Sequence, residues 1–172
     1  MKYENVINLC EVSLFRYKDF VIFLSPKGRV VLNYPKKDDF QYQLTSGLIK
    51  VKKSSLVENR LESVVSGLKE FYHRKLNLIG IGFRAWCYFD NTRNCQVLCI
   101  KVGLSKDVLI FIPSDIVVLC LRPTLILLKG IDKKSVSLLA CRIRSIKVPD
   151  AYKGKGIRYD NEIVRIKPGK QK

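Results

Sequence analysis

Residues 108–128 read VLIFIPSDIVVLCLRPTLILL, and the fold turns on whether this apolar stretch is one helix or several strands. A membrane-crossing helix needs about 20 apolar residues with few or no charges. Pro113-Ser114-Asp115 and Arg122-Pro123-Thr124 interrupt the run twice. Proline lacks the amide donor that a helix interior uses, and its pairing with Ser, Asp or Thr favours turns. The pieces that remain are strand-length and rich in β-branched residues. The segment therefore predicts buried strands, with no membrane insertion.

Working outward, LNLIGIGFRAWCYF (76–89) and CQVLCIKVG (95–103) precede VLIFIP, IVVLCL and TLILLKG as strand-like runs. A helical pattern follows them. Asp132 stands at its cap, Val136, Leu139, Ala140 and Ile143 repeat on one face, and Lys133, Lys134, Arg142, Arg144 and Lys147 fall elsewhere. The first half repeats the plan. FVIFLS (20–25), GRVVLNY (28–34), FQYQL (40–44) and GLIKV (47–51) read as strands, with a tight turn at Pro26-Lys27-Gly28. A helix then opens at a Ser55/Glu58 capping box, with Leu61, Val64, Val65, Leu68 and Tyr72 on its inner stripe. Strands followed by a helix, twice, predict the α+β class. The expected architecture is two tandem modules, residues 1–74 and 75–172, each a mostly antiparallel sheet with one amphipathic helix packed on it.

Composition narrows the function. Apolar residues make up 47% of 172, enough for a core, while 32 Lys and Arg oppose 15 Asp and Glu for a net charge of +17. Such an excess implies a partner that neutralises it: nucleic acid, an anionic membrane face or an acidic protein. The N-terminus shows no apolar stretch after a basic start, so no secretory signal is visible. The cysteines at 10, 87, 95, 99, 120 and 141 include no C-x-x-C pair, and His73 is the one histidine. They are expected to be buried free thiols, with no metal site and no disulfide.

Signals for chemistry are weak. GIGFRA (80–85) ends in alanine where a dinucleotide fingerprint needs its third glycine, and strand-like residues continue beyond it, which fits a strand with a glycine bulge or close packing. Gly154-Lys155 is followed by glycine where a phosphate-transfer loop needs Ser or Thr. His73 lies with Arg74 and Lys75 just after the first helix, where cations suit the helix dipole. Asp39, Asp107 and Asp160 read as turn formers or ion-pair partners. No enzyme activity, no small-molecule substrate and no cofactor are expected.

One basic segment stands apart: VPDAYKGKGIRYDNE, residues 148–162. Gly154 and Gly156 would let backbone amides approach phosphate oxygens without an intervening Cβ. Lys153 and Lys155 supply charge, and Tyr152 or Tyr159 can hydrogen-bond or stack on unpaired nucleotides. The alternative is a hairpin loop that uses its glycines for positive φ. From Lys147 onward eight cations face three acids, and three of those cations lie in the tail KPGKQK. Basic loop, basic tail and basic second helix together favour RNA.

These residues also carry a resemblance. GIDKKSV (130–136), ACRIRSIKVPDAYKGKGIRYDNEIVRIKPGK (140–170), LIGIGFRA (78–85) and KVGLSKDVLIFIP (101–113) resemble the universal large-subunit ribosomal protein L-six family over about residues 76–170. LSPKGRVVLNY (24–34) matches that family's Pro-Lys-Gly hairpin. The usual Ser-Arg-Ile-Gly-Lys opening is absent, and Ser137-Leu138-Leu139 stands where a Gly-Gln pair is usual. The resemblance implies a structural constituent of the large ribosomal subunit, bound to large-subunit ribosomal RNA near the sarcin–ricin loop and to neighbouring ribosomal proteins, supporting assembly and translation. It assigns RNA contacts to Tyr152, Lys153, Gly154, Lys155, Gly156, Arg158 and Tyr159, with Lys167, Gly169 and Lys170 following the RNA backbone. A free RNA-binding or chaperone-like module is the alternative function. The diverged first half, the vocabulary of Cys, Ile, Leu, Phe and Lys, and the Met1-Lys2 start point to an organelle-encoded copy, in the mitochondrion ahead of the plastid or a bacterial cytoplasm.

Overall fold

In the computed structural model the residues described are 3–8, 12–17, 20–33, 42–45, 48–52 and 55–169, with side chains described for 12–15, 20–33 and 59–169. Every described strand pairing is antiparallel, so the α+β class holds. The chain divides into two compact units, Met1–Phe71 with Ile131–Lys133, and Tyr72–Gly130 with Lys134–Lys172.

The first unit contains strands β1 (Tyr3–Asn8), β2 (Ser13–Tyr17), β3 (Phe20–Ser25), β4 (Gly28–Asn33), β5 (Tyr42–Thr45) and β6 (Leu48–Lys52), and helix α1 (Ser55–Lys69). They form two sheets, ordered β1-β6-β5 and β2-β3-β4. β3 and β4 meet at the expected turn, with Ser25 opposite Gly28. Leu61, Val64, Val65 and Leu68 of α1 are buried against Val21 and Phe23 of β3 and Leu32 of β4. Full burial of each such side chain is worth about 1.5–3 kcal/mol, so this stripe holds the helix on its sheet. Tyr72 does not belong to the stripe. α1 ends at Lys69, and Tyr72 begins the next strand. The side chains of Ser55 and Glu58, assigned to the capping box, lie outside the described residues.

The second unit contains β7 (Tyr72–Ile79), β8 (Arg84–Asp90), β9 (Cys95–Lys101), β10 (Val108–Ile112), β11 (Ile116–Arg122), β12 (Leu125–Gly130), α2 (Lys133–Ile146) and β13 (Gly156–Tyr159). Its sheets run β10-β9-β8 and β11-β12-β7-β13. The opening stretch resolves into β10, β11 and β12, broken at the two proline turns. Their inward residues Ile110, Ile112, Ile116, Val118, Ile126 and Leu128 join Val136, Leu139, Ala140 and Ile143 of α2 in one core. The side-chain amide of Gln96 on β9 donates to the Val118 carbonyl (2.6 Å) and accepts from the Val118 amide (3.1 Å), tying the two sheets across that core. Among the described residues no helix is long and apolar enough to cross a membrane.

Three expectations change. LNLIGIGFRAWCYF is two strands, because residues 80–83 turn the chain and the Phe83 amide donates to the Gly80 carbonyl (3.3 Å); the glycines there serve a turn in place of a bulge, while close packing holds at Gly80, where a Cβ would lie 2.8 Å from the Phe83 ring. His73, Arg74 and Lys75 lie on β7 and are not a helix-end cluster. Cys99 is buried as expected, but Cys87, Cys95 and Cys120 are only half-buried and Cys141 is exposed on α2.

Candidate nucleic-acid interface

The basic segment leaves α2 after Ile146 and returns to the sheet as β13, which pairs with β7 from Gly156 opposite Ile79 to Tyr159 opposite Leu76. Two short bonds close the loop between them. The Asp150 amide donates to the Lys155 carbonyl (2.9 Å), and the Gly154 amide donates to the Asp150 carbonyl (2.9 Å). The Asp150 carboxylate takes two further amides, those of Tyr152 (3.3 Å) and Lys153 (3.1 Å). An aspartate that folds back on the following amides is a standard way to fix a turn.

The glycines serve this closure. Gly154 has φ +65°, a left-handed conformation that costs an ordinary residue energy. Gly156 is buried against the chain that enters the loop, and a Cβ there would lie 2.6 Å from Pro149 Cα and 2.9 Å from the Lys147 carbonyl oxygen. The amides of Tyr152, Lys153 and Gly154 are thus engaged within the loop. Those three amides are not free for a polyanion, whereas exposed side chains are. Tyr152 is 59% exposed and Lys153 is exposed, while Lys155 is half-buried.

The tail comes to the same place. The Lys167 amide donates to the Ala151 carbonyl (2.8 Å), and the Ile166 side chain faces Gly154. Lys167 and Gly169 are exposed; Lys170 lies outside the described residues. Loop and tail therefore present Tyr152, Lys153 and Lys167 together.

Arg158 and Tyr159 sit apart from that tip, half-buried in β13. The Arg158 Nε is buried without a hydrogen-bond partner among the described residues. The Arg144 guanidinium lies over the Tyr159 ring, 5.8 Å from its centre. Burial, then the nearby Cys141, pushes the Tyr159 hydroxyl above its usual pKa.

Sequence reading missed the ion pair beneath this strand. Arg144 was assigned to the free basic face of α2, yet its Nε donates to Glu162 Oε2 (2.9 Å) and its second guanidinium nitrogen donates to Glu162 Oε1. Glu162 also accepts from the Tyr159 amide (3.1 Å). The guanidinium, with help from that amide, holds the Glu162 carboxyl below its ordinary value. Nothing in the local pattern pairs residues eighteen positions apart. Also missed was a small pocket where His73, Arg74 and Lys75 meet Tyr159, Asp160 and Asn161. Asn77 bonds Asp160 there (3.0 Å), and the Asp160 amide donates to the Lys75 carbonyl (3.3 Å). The pocket combines cations, an imidazole, an amide and a phenol with the Asp160 carboxylate, which Asn77 engages.

No protein-family model matches the chain. Curated relatives do. The large ribosomal subunit protein uL6m of Reclinomonas americana is 38% identical over 65% of this chain and 57% of its own length. The large ribosomal subunit protein uL6 of Rhodopirellula baltica is 40% identical over 63% of this chain and 56% of its own. These two matches span just over half of the relatives' length. The uL6 protein of Polaromonas naphthalenivorans is 34% identical over a longer region, 88% of this chain and 77% of its own length.

Proposed function

Because this chain belongs to the uL6 family of large-ribosomal-subunit proteins, we propose that it is a structural constituent of a large ribosomal subunit and binds ribosomal RNA through its C-terminal loop and tail. The observation that carries the reading is the joining of the two cationic segments, where the Lys167 amide bonds the Ala151 carbonyl beside exposed Tyr152 and Lys153. Lysine ammonium groups neutralise phosphates, and an exposed tyrosine offers a ring to an unstacked base. The loop is closed by its own bonds before any partner arrives, which lowers the ordering cost of binding.

On this reading the module at 75–172 carries the RNA surface: Tyr152, Lys153, Lys155 and Lys167 at the tip, Arg158 and Tyr159 along β13, Gly154 and Gly156 shaping the loop, and Gly169 and Lys170 extending it. Neighbouring large-subunit proteins complete its surroundings. The RNA is the region near the sarcin–ricin loop, and the role is architectural, in assembly and translation, without catalysis. The compartment is the mitochondrion. That assignment rests on the sequence vocabulary and on a mitochondrial relative, while bacterial relatives match at similar identity.

Gradient sedimentation of a cell or organelle extract tests the proposal. The protein is expected to comigrate with the large subunit and to stay there through a moderate salt wash. A stable free pool would overturn it in favour of an RNA-binding module that acts outside the ribosome. Fractionation of organelles from cytosol tests the compartment separately.

A further inference from the structure

Cys87 on β8 and Cys120 on β11 place their sulfur atoms 3.2 Å apart, although the two strands belong to different sheets of the second unit. Both thiols are half-buried. Among the described residues no other pair of sulfurs is in hydrogen-bond contact. Nor does any group of three or more His, Cys, Asp or Glu come together there to hold a metal. Two sulfurs fall short of the roughly four donors a thiolate metal site uses, so the chemistry open to this pair is between the sulfurs themselves. We propose that Cys87 and Cys120 are a redox-active dithiol that a peroxide converts into an intramolecular disulfide joining the two sheets.

The asymmetry of the pair orders the step. Either sulfur can donate the bond between them; that bond, then burial, raises the pKa of Cys87, and the same bond lowers that of Cys120. Cys120 is therefore the first nucleophile. Its thiolate attacks one peroxide oxygen, the O–O bond breaks, and hydroxide leaves; Cys120 becomes a sulfenic acid. The negative charge that held the Cys87 proton in place is then gone. Cys87 sulfur attacks the Cys120 sulfur, the S–O bond breaks, and the Cys87 proton leaves with the oxygen as water. Two thiols are oxidised by two electrons and one peroxide is reduced to two waters. The sulfurs need close only from 3.2 Å to about 2.05 Å, a shift of the order a side-chain adjustment supplies.

The experiment treats the reduced full chain with one equivalent of hydrogen peroxide, blocks remaining thiols with N-ethylmaleimide and maps the peptides. A loss of about 2 Da with a single Cys87–Cys120 cross-link, reversed by dithiothreitol, is expected. Cys10, Cys95, Cys99 and Cys141 should carry the maleimide. The oxidised chain should melt on the order of 10 °C higher, because the bond closes a long loop of the unfolded chain. In Cys87→Ser that shift should vanish and Cys120 should be trapped as a sulfenic acid by dimedone. The proposal is overturned if cross-links form first at other cysteines, if Cys87 and Cys120 gain oxygen without linking, or if neither reacts while exposed Cys141 does. The wild-type peptide map decides this even if the serine variant fails to fold.

Discussion

Replacing Gly156 with alanine puts the packing of the basic loop to a direct test. The new Cβ would sit 2.6 Å from Pro149 Cα, 2.7 Å from Pro149 N and 2.9 Å from the Lys147 carbonyl oxygen. All three are backbone atoms, held in place because the same Lys147 carbonyl accepts from the Ile157 amide (2.8 Å). No flexible side chain can swing aside. Overpacking of this kind costs about 1–3 kcal/mol, and φ of +154° adds about 1–3 kcal/mol of backbone strain for a residue with a Cβ. The sum is a large share of the roughly 5–15 kcal/mol that holds a domain folded. Gly154→Ala is the internal comparison. Its Cβ would have its nearest neighbour at 3.6 Å, the end of the Ile166 side chain, so only the left-handed φ of +65° is penalised, by about 1–2 kcal/mol. Trp86, the chain's single tryptophan, lies on β8 in the same unit, so its fluorescence during guanidinium denaturation reports that unit's unfolding. Gly156→Ala should lower the midpoint at least twice as far as Gly154→Ala. If the two variants shift equally, or if Gly156→Ala stays within about 0.5 kcal/mol of wild type, the loop is not packed as described and its glycines serve something other than closure.

Three further outcomes are expected. Affinity for a large-subunit RNA fragment should fall by about 10³–10⁵ between 50 and 200 mM salt if roughly 6–10 phosphates are covered; filter binding across a salt series that gives a flat response would refute the electrostatic reading. The double variant Lys153→Ala with Lys155→Ala should keep its denaturation midpoint while its incorporation into large subunits drops, and a collapse of the midpoint would instead mark these lysines as structural. Glu162→Gln should remove the acid sensitivity that the Arg144 pair confers. Because the Glu162 carboxyl is held below its ordinary value of 4.5, the pair contributes fully above that value and fades as pH falls through the lowered one. Wild type should therefore lose about 1 kcal/mol or less relative to the variant on acidification, and an unchanged difference from pH 7 to pH 3 would show that the pair contributes nothing.

The sequence made the second unit legible wherever one physical signal acted alone. Pro113 and Pro123 cut the apolar run into strands whatever the surroundings, and the spacing of Val136, Leu139, Ala140 and Ile143 fixed the inner face of α2. It failed where the answer depends on distant partners. GIRY (156–159) has too short a run to declare itself a strand and becomes one because β7 offers it an open edge. The segments at β1 and β2 lacked a pattern strong enough to predict, and among the described residues they pair with the distant β6 and with β3. Arg144 read as free charge, since a helix pattern cannot reveal that Glu162 returns beneath it. The site was legible as a composition of residue types. Its inner logic was not, because the commitment of the Tyr152, Lys153 and Gly154 amides follows from how Asp150 folds back, and one aspartate among lysines gives no hint of that.

The Asp150 carboxylate has a consequence for selectivity between anions. A carboxylate at the root of a cationic finger would ordinarily repel an approaching phosphate. Here its oxygens accept the Tyr152 and Lys153 amide hydrogens, which offsets part of that repulsion. Asparagine at this position would keep one such acceptor and discard the negative charge, trading rigidity of the finger for a stronger and less discriminating pull on polyanions. The aspartate favours a finger of fixed shape, which under the proposed function would match the contour of a folded RNA in preference to its charge alone.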